Sequence, residues 1–87
     1  MDKNTYKQEI LGITTSNGIK VNGITEHALD RAIERNVYPQ SISLALLHPE
    51  KIKDGNVPNR KVYVRKGINV ILDTNTGDII TIIYKGR

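Results

Sequence analysis

The sequence predicts an α+β domain in which N-terminal helices pack on one face of a roughly four-stranded antiparallel β-sheet. Three observations carry that expectation. Ala28, Leu29, Ala32 and Ile33 recur at helical spacing behind Thr25, a good N-cap residue. The β-branched residues concentrate in the C-terminal half, where Arg60–Tyr84 reads as strands joined by short polar turns. The chain has 87 residues, enough for one modest core, and shows no repeat, linker or low-complexity tract.

The first ten residues are polar, and Tyr6, Ile10 and Leu11 can anchor either a short helix or an extended arm. Residues 11–21 read as a small hairpin, because Asn17-Gly18 supplies the two positive φ angles of a type I′ turn; Asn22-Gly23 then breaks it. A helix is expected over about residues 26–35. Ile24 can staple onto Leu29 at its start, and Asn36 suits a left-handed stop. Pro39 fits the first position of a second helix that runs to about Leu47, and His48-Pro49 ends it. Residues 50–53 add a short strand, and Asp54–Asn59, rich in turn formers, reads as a mobile flap.

Three strands follow. In Arg60–Arg65, Val62 and Val64 fall on one face and Lys61, Tyr63 and Arg65 on the other. Lys66-Gly67 turns the chain into Ile68–Leu72, and a polar turn leads to Asp78–Lys85. That last strand is apolar on both faces apart from Thr81, so it is expected to be central, with Thr81 sharing a face with Ile79 and Ile83.

Thirteen Lys and Arg against nine Asp and Glu give a formal charge of +4, a moderate bias toward a polyanionic partner. Six of the thirteen lie between Lys51 and Lys66. No cysteine is present, which excludes disulfides and thiolate metal sites. No apolar run approaches a membrane span and the start lacks the apolar core of a signal peptide, so any export information is expected elsewhere.

The helix offers a column of chemistry. With His27 at zero, Arg31 falls near about 40° and Arg35 near about 80°, on the border of the buried face. The helix N-terminus and the two arginines disfavour a cationic His27, which leaves the uncharged imidazole that a general base needs. A surface histidine bonded to local groups is the other reading. Arg31 and Arg35 repel at i,i+4 unless Asp30 and Glu34 offset them, and they can form a phosphate fork. Lys61, Tyr63, Arg65 and Lys66 surround an aromatic ring with cations, the composition of a single-stranded RNA surface and equally of a solvated strand face. Thr81 and Tyr84 are either structural or the hydroxyl partners of the helix across a cleft. His48, at a helix C-terminus, is a weaker acid candidate. The scattered carboxylates and histidines point to no metal, and no cofactor motif is present. What remains is a set of His, Arg, Lys, Thr and Tyr suited to cleaving RNA through its own 2′-hydroxyl.

The His-x-x-x-Arg-x-x-x-Arg helix, the His-Pro-Glu-Lys-Ile that closes the second helix, the basic strand and the terminal Thr-Gly-Asp-Ile-Ile-Thr-Ile-Ile-Tyr together resemble a known superfamily. It comprises the small nuclease domains of barnase, EndoU, colicin and RelE-like type, found at the C-termini of bacterial polymorphic and phage-associated toxins. The resemblance covers about residues 19–85. It implies a cleft on the open face of the sheet and metal-free ribonuclease activity, often on tRNA. The superfamily's helix histidine falls on His27, its helix arginine on Arg31 and its last-strand threonine on Thr81; Arg35 and Tyr84 match more loosely, and the lysine has several candidates. It further implies delivery as part of a larger toxin, action in the target-cell cytoplasm, and a cognate immunity protein, often acidic, that covers the active site.

Overall fold

A computed structural model describes residues 2–85. Its elements run α1 (Lys3–Gln8), β1 (Gly23–Ile24), α2 (Glu26–Glu34), α3 (Pro39–Leu47), β2 (Lys51–Asp54), β3 (Arg60–Arg65), β4 (Ile68–Asp73) and β5 (Asp78–Tyr84). The class is α+β, with three helices and a five-stranded mixed sheet in the order β1-β5-β4-β3-β2. β2 to β5 form the antiparallel meander read from the sequence. The expectation of a four-stranded, purely antiparallel sheet is corrected by β1, where Gly23 and Ile24 run parallel to Asp78 and Ile79.

That fifth strand is built on the segment that reads as a break. Asn22 donates its backbone N–H to the Gly77 carbonyl at 2.8 Å, and its side chain donates to the Thr76 carbonyl at 2.9 Å. Gly77 is left-handed, and a Cβ there would stand 2.5 Å from the Lys20 carbonyl oxygen, so this approach requires glycine. A distant turn thus captures two residues as a strand. Sequence periodicity cannot register a strand that short.

The preceding hairpin is a single bridge, Thr14 to Lys20. Only Gly18 of its turn has a positive φ; Asn17 does not, so the expected type I′ geometry is absent. A three-residue loop closes it instead, with Gly18 N–H on the Thr15 carbonyl and Thr15 N–H on the Ile19 carbonyl. Lys66-Gly67, with φ of 49° and 80°, makes the tight β3–β4 turn. Residues 54–59 are tied at both ends, Gly55 N–H bonding to the Arg60 carbonyl and Thr74 N–H to the Asn59 carbonyl.

Both longer helices follow the sequence closely. Thr25 caps α2 by accepting from Ala28 N–H, and Asn36 takes the left-handed φ of 57° just beyond its end. Pro39 opens α3 and His48 is its C-cap. Leu29, Ile42 and Leu46 are fully buried against Tyr63, Val70, Leu72 and Ile79. Each such aliphatic side chain stabilises the fold by about 1.5–3 kcal/mol.

One irregularity decides which residues the sheet presents. The β4–β5 register shifts between Ile71 and Leu72, so that Ile71 pairs with Thr81 but Leu72 with Ile79. Ile80 is the extra residue of a bulge. Ile79 therefore lies with Ile82 on the helix-covered face, and Thr81 lies with Ile83 on the other. This corrects the expectation that Thr81 shares a face with Ile79.

Candidate functional site

The start of α2 is fastened to β5. Thr25 N–H bonds to the Ile79 carbonyl at 3.0 Å, and the Thr25 hydroxyl donates to the Ile80 carbonyl at 2.8 Å. Ala28 and Ala32, both fully buried, let the helix lie close to the strand. β1 covers only Asp78 and Ile79, so beyond that point α2 flanks the strand in place of a neighbour. The result is a hollow of about 220 Å³ lined by Arg31, Arg35, Thr81, Ile82, Ile83 and Tyr84. Four of the five residues expected to carry chemistry thus meet in one place. His27 is exposed on the first turn of α2 and lines neither this hollow nor its neighbour.

The arginines here carry uncompensated charge. Lys3 pairs with both Glu26 and Asp30, at 2.9 and 2.8 Å, and its bonds to Asp30 and Glu26 hold its ammonium above the usual range. Asp30 is thus drawn to α1, away from the arginines it was expected to offset. Among the described residues neither Arg31 nor Arg35 makes an ion pair. Two cations at i,i+4 repel by about 0.2–0.5 kcal/mol, a cost that an anion in the hollow would offset.

Thr81 and Ile83 also line a larger hollow, about 530 Å³, on the open face of the sheet. Lys53, Arg60, Asn69 and Lys85 contribute to it. Arg60 lies beside Asp73, with Nε 3.5 Å from the carboxylate, and this nitrogen is buried without a hydrogen-bond partner. Backbone N–H groups of Thr76 and Asn75, and then Arg60, hold the Asp73 carboxyl below the usual range. The sequence did not single out Lys53, Arg60, Asn69 or Lys85. The available signal was the alternation of β3: if Tyr63 is core, the cations that matter share the face of Val62.

Tyr63 is core. It is fully buried beneath the helices, its hydroxyl bonded to Asn17, so it offers no surface for base stacking. Lys61 and Arg65 alternate with it toward the same helix-covered side. Lys61 is paired with Asp54, and Arg65 donates to the His48 carbonyl at 2.8 Å, completing the end of α3. Lys66 sits in the exposed β3–β4 turn, its N–H on the Glu50 carboxylate. The expected strand patch of Lys61, Tyr63, Arg65 and Lys66 therefore does not converge on the hollow of Arg31 and Thr81. A tyrosine is large enough to be the best core filler of a chain that has no Phe or Trp, and that reversed the face.

Among the described residues no group of three or more His, Cys, Asp or Glu is placed to hold a metal ion, and no helix is long and apolar enough to cross a membrane. Comparison of the chain with protein-family models, with curated proteins and with solved structures gave no match.

Proposed function

We propose that this domain is an endoribonuclease that cleaves RNA without a metal ion, through attack of the 2′-hydroxyl on the adjacent phosphorus. The observation that carries the reading is the meeting of Arg31 and Arg35 with Thr81 and Tyr84 around one hollow. Unpaired guanidinium groups beside the strand edge that carries Thr81 and Tyr84 suit a phosphate that gains negative charge. In this mechanism His27 takes the 2′-hydroxyl proton, and the freed oxygen bonds to phosphorus. Arg31 and Arg35 stabilise the phosphorane, Thr81 holds a phosphate oxygen, and Tyr84 donates a proton to the departing 5′-oxygen. His27 and Arg31 are one helical turn apart, about 5–6 Å between Cβ atoms, a span that one nucleotide bridges. The products are a 2′,3′-cyclic phosphate and a 5′-hydroxyl. By the same resemblance the substrate is tRNA, the domain is the working part of a larger delivered toxin active in the target-cell cytoplasm, and an acidic immunity protein covers the arginine hollow.

Incubation with total RNA in excess EDTA tests the reading: discrete cleavage with cyclic phosphate ends is expected, and intact RNA or cleavage abolished by chelation refutes it. His27→Ala should lower the rate at least about a hundredfold while leaving the fold intact.

One observation favours a second reading, a non-catalytic nucleic-acid-binding module: His27 stands outside the lining of both hollows. That module would bind RNA in a salt-sensitive way without turnover, and His27→Ala would leave its affinity unchanged.

A further inference from the structure

The hollow on the open face is more than a cationic patch. Its floor is aliphatic, made by Val62 of β3, Ile71 of β4 and Ile83 of β5. Its cations stand at the margins: Lys53 on the edge strand, Lys85 just past β5, and Arg60 at the start of β3, where Asp73 pairs with it. Asp54, the carboxylate in the lining, is paired with Lys61. Two carboxamides line it, Asn56 from the β2–β3 loop and Asn69 from β4. Asn69 is half-buried, lies between Val64 and Ile83 in the cross-strand register, and makes no hydrogen bond through its side chain among the described residues.

A largely aliphatic floor that carries Asn69 and Thr81, with a cationic rim, has the composition of a site for a flat heterocycle joined to phosphates. The register supplies the geometry. Ile71 pairs with Thr81, so their Cβ atoms are about 4.5–5.5 Å apart, and Thr81 belongs to both hollows. Asn69 stands two residues along β4 from Ile71, and side chains rise roughly perpendicular to the sheet. A base laid over Ile71 therefore meets the Asn69 amide with its edge, while its phosphate reaches Arg31 and Arg35 past Thr81.

We propose that this hollow binds a nucleobase and that Asn69 reads it, with adenine preferred. The amide offers an acceptor and a donor side by side, the complement of the adenine N6 amino group and N7. That the base flanks a scissile phosphate rests on the endoribonuclease reading; the base site itself does not.

The test uses tetraribonucleotides of sequence UUXU, 2′-O-methylated to block cleavage, with X each of the four bases. Fluorescence anisotropy reads their affinity for the chain and for Asn69→Ala. With X as adenine, binding is expected to be about tenfold tighter than with the other bases. Asn69→Ala should compress that range to about twofold while retaining binding of the all-uridine tetramer. The Asn69 side-chain amide resonances should shift on adding the adenine tetramer, a reading that needs no variant. No base preference in the parent chain, the same preference in Asn69→Ala, or no binding of any tetramer overturns the proposal. Unmodified tetramers incubated in EDTA separate the two ideas: base-selective binding without cleavage sinks the endoribonuclease reading and leaves Asn69 as the base reader.

Discussion

Replacing Arg31 by glutamine should cut activity sharply while leaving stability nearly unchanged. Arg31 lines the hollow beside Arg35 and has no ion pair among the described residues, so its loss breaks no charged contact within the fold. It removes the i,i+4 repulsion with Arg35, about 0.2–0.5 kcal/mol, but also a cation in the last turn of α2, which the helix dipole favours by about 0.3–1 kcal/mol; glutamine has nearly the same helix propensity. These contributions oppose each other, so Tm should stay within about 4 °C of the parent. Catalysis should suffer far more. A hydrogen bond to a charged group is worth about 1.5–3 kcal/mol, so losing one to the phosphorane lowers kcat/KM by about 10- to 150-fold. The assay is initial-rate cleavage of a fluorescent RNA in EDTA, paired with a thermal melt of the same preparation. Unchanged cleavage would refute the placing of phosphate in this hollow. A fall in Tm beyond that range would refute the claim that Arg31 is electrostatically unrelieved. Arg35→Gln should behave alike, and the double variant should lose less than the product of the two, because both guanidiniums serve one anion.

Two further outcomes follow from buried and hydrogen-bonded groups. Tyr63→Phe leaves the Asn17 and Thr15 oxygens without their shared hydroxyl and should cost about 1–3 kcal/mol in urea unfolding, with RNA affinity unchanged; weaker RNA binding by a folded variant would return Tyr63 to the substrate surface. The Asp73 carboxyl is held below its usual range by the turn N–H groups, so its stabilising contribution is present above the unfolded carboxylate pKa and is lost as pH falls through the lower folded value. Asp73→Asn should therefore be less stable than the parent at neutral pH, and the gap should close on acidification; a gap constant with pH would show that ionisation is irrelevant there.

Much of this fold is local in origin. Thr25, Asn36 and Pro39 set helix ends through backbone geometry and capping, which depend on neighbours within four residues. Alternation likewise marked β3 to β5, and the spacing of Arg31 and Arg35 placed both on one border of α2. The features that local sequence does not display involve partners distant along the chain. β1 exists because Gly77 and Asp78 lie beside residues 22–24. Charge alternation in β3 places Tyr63 among exposed cations, whereas Tyr63 fills the space beneath the helices.

What the sequence determined by itself was therefore the class, the helix that bears His27, Arg31 and Arg35, and the strand that bears Thr81 and Tyr84. Only tertiary structure decided which of these meet. A single bulge at Ile80 turned Thr81 onto the open face, and a two-residue β1 left the rest of β5 to α2. Strand polarity has a period of two, so one inserted residue reverses every side chain on one side of it relative to the other. Composition is indifferent to that insertion, whereas the hollow shared by Arg31 and Thr81 depends on it.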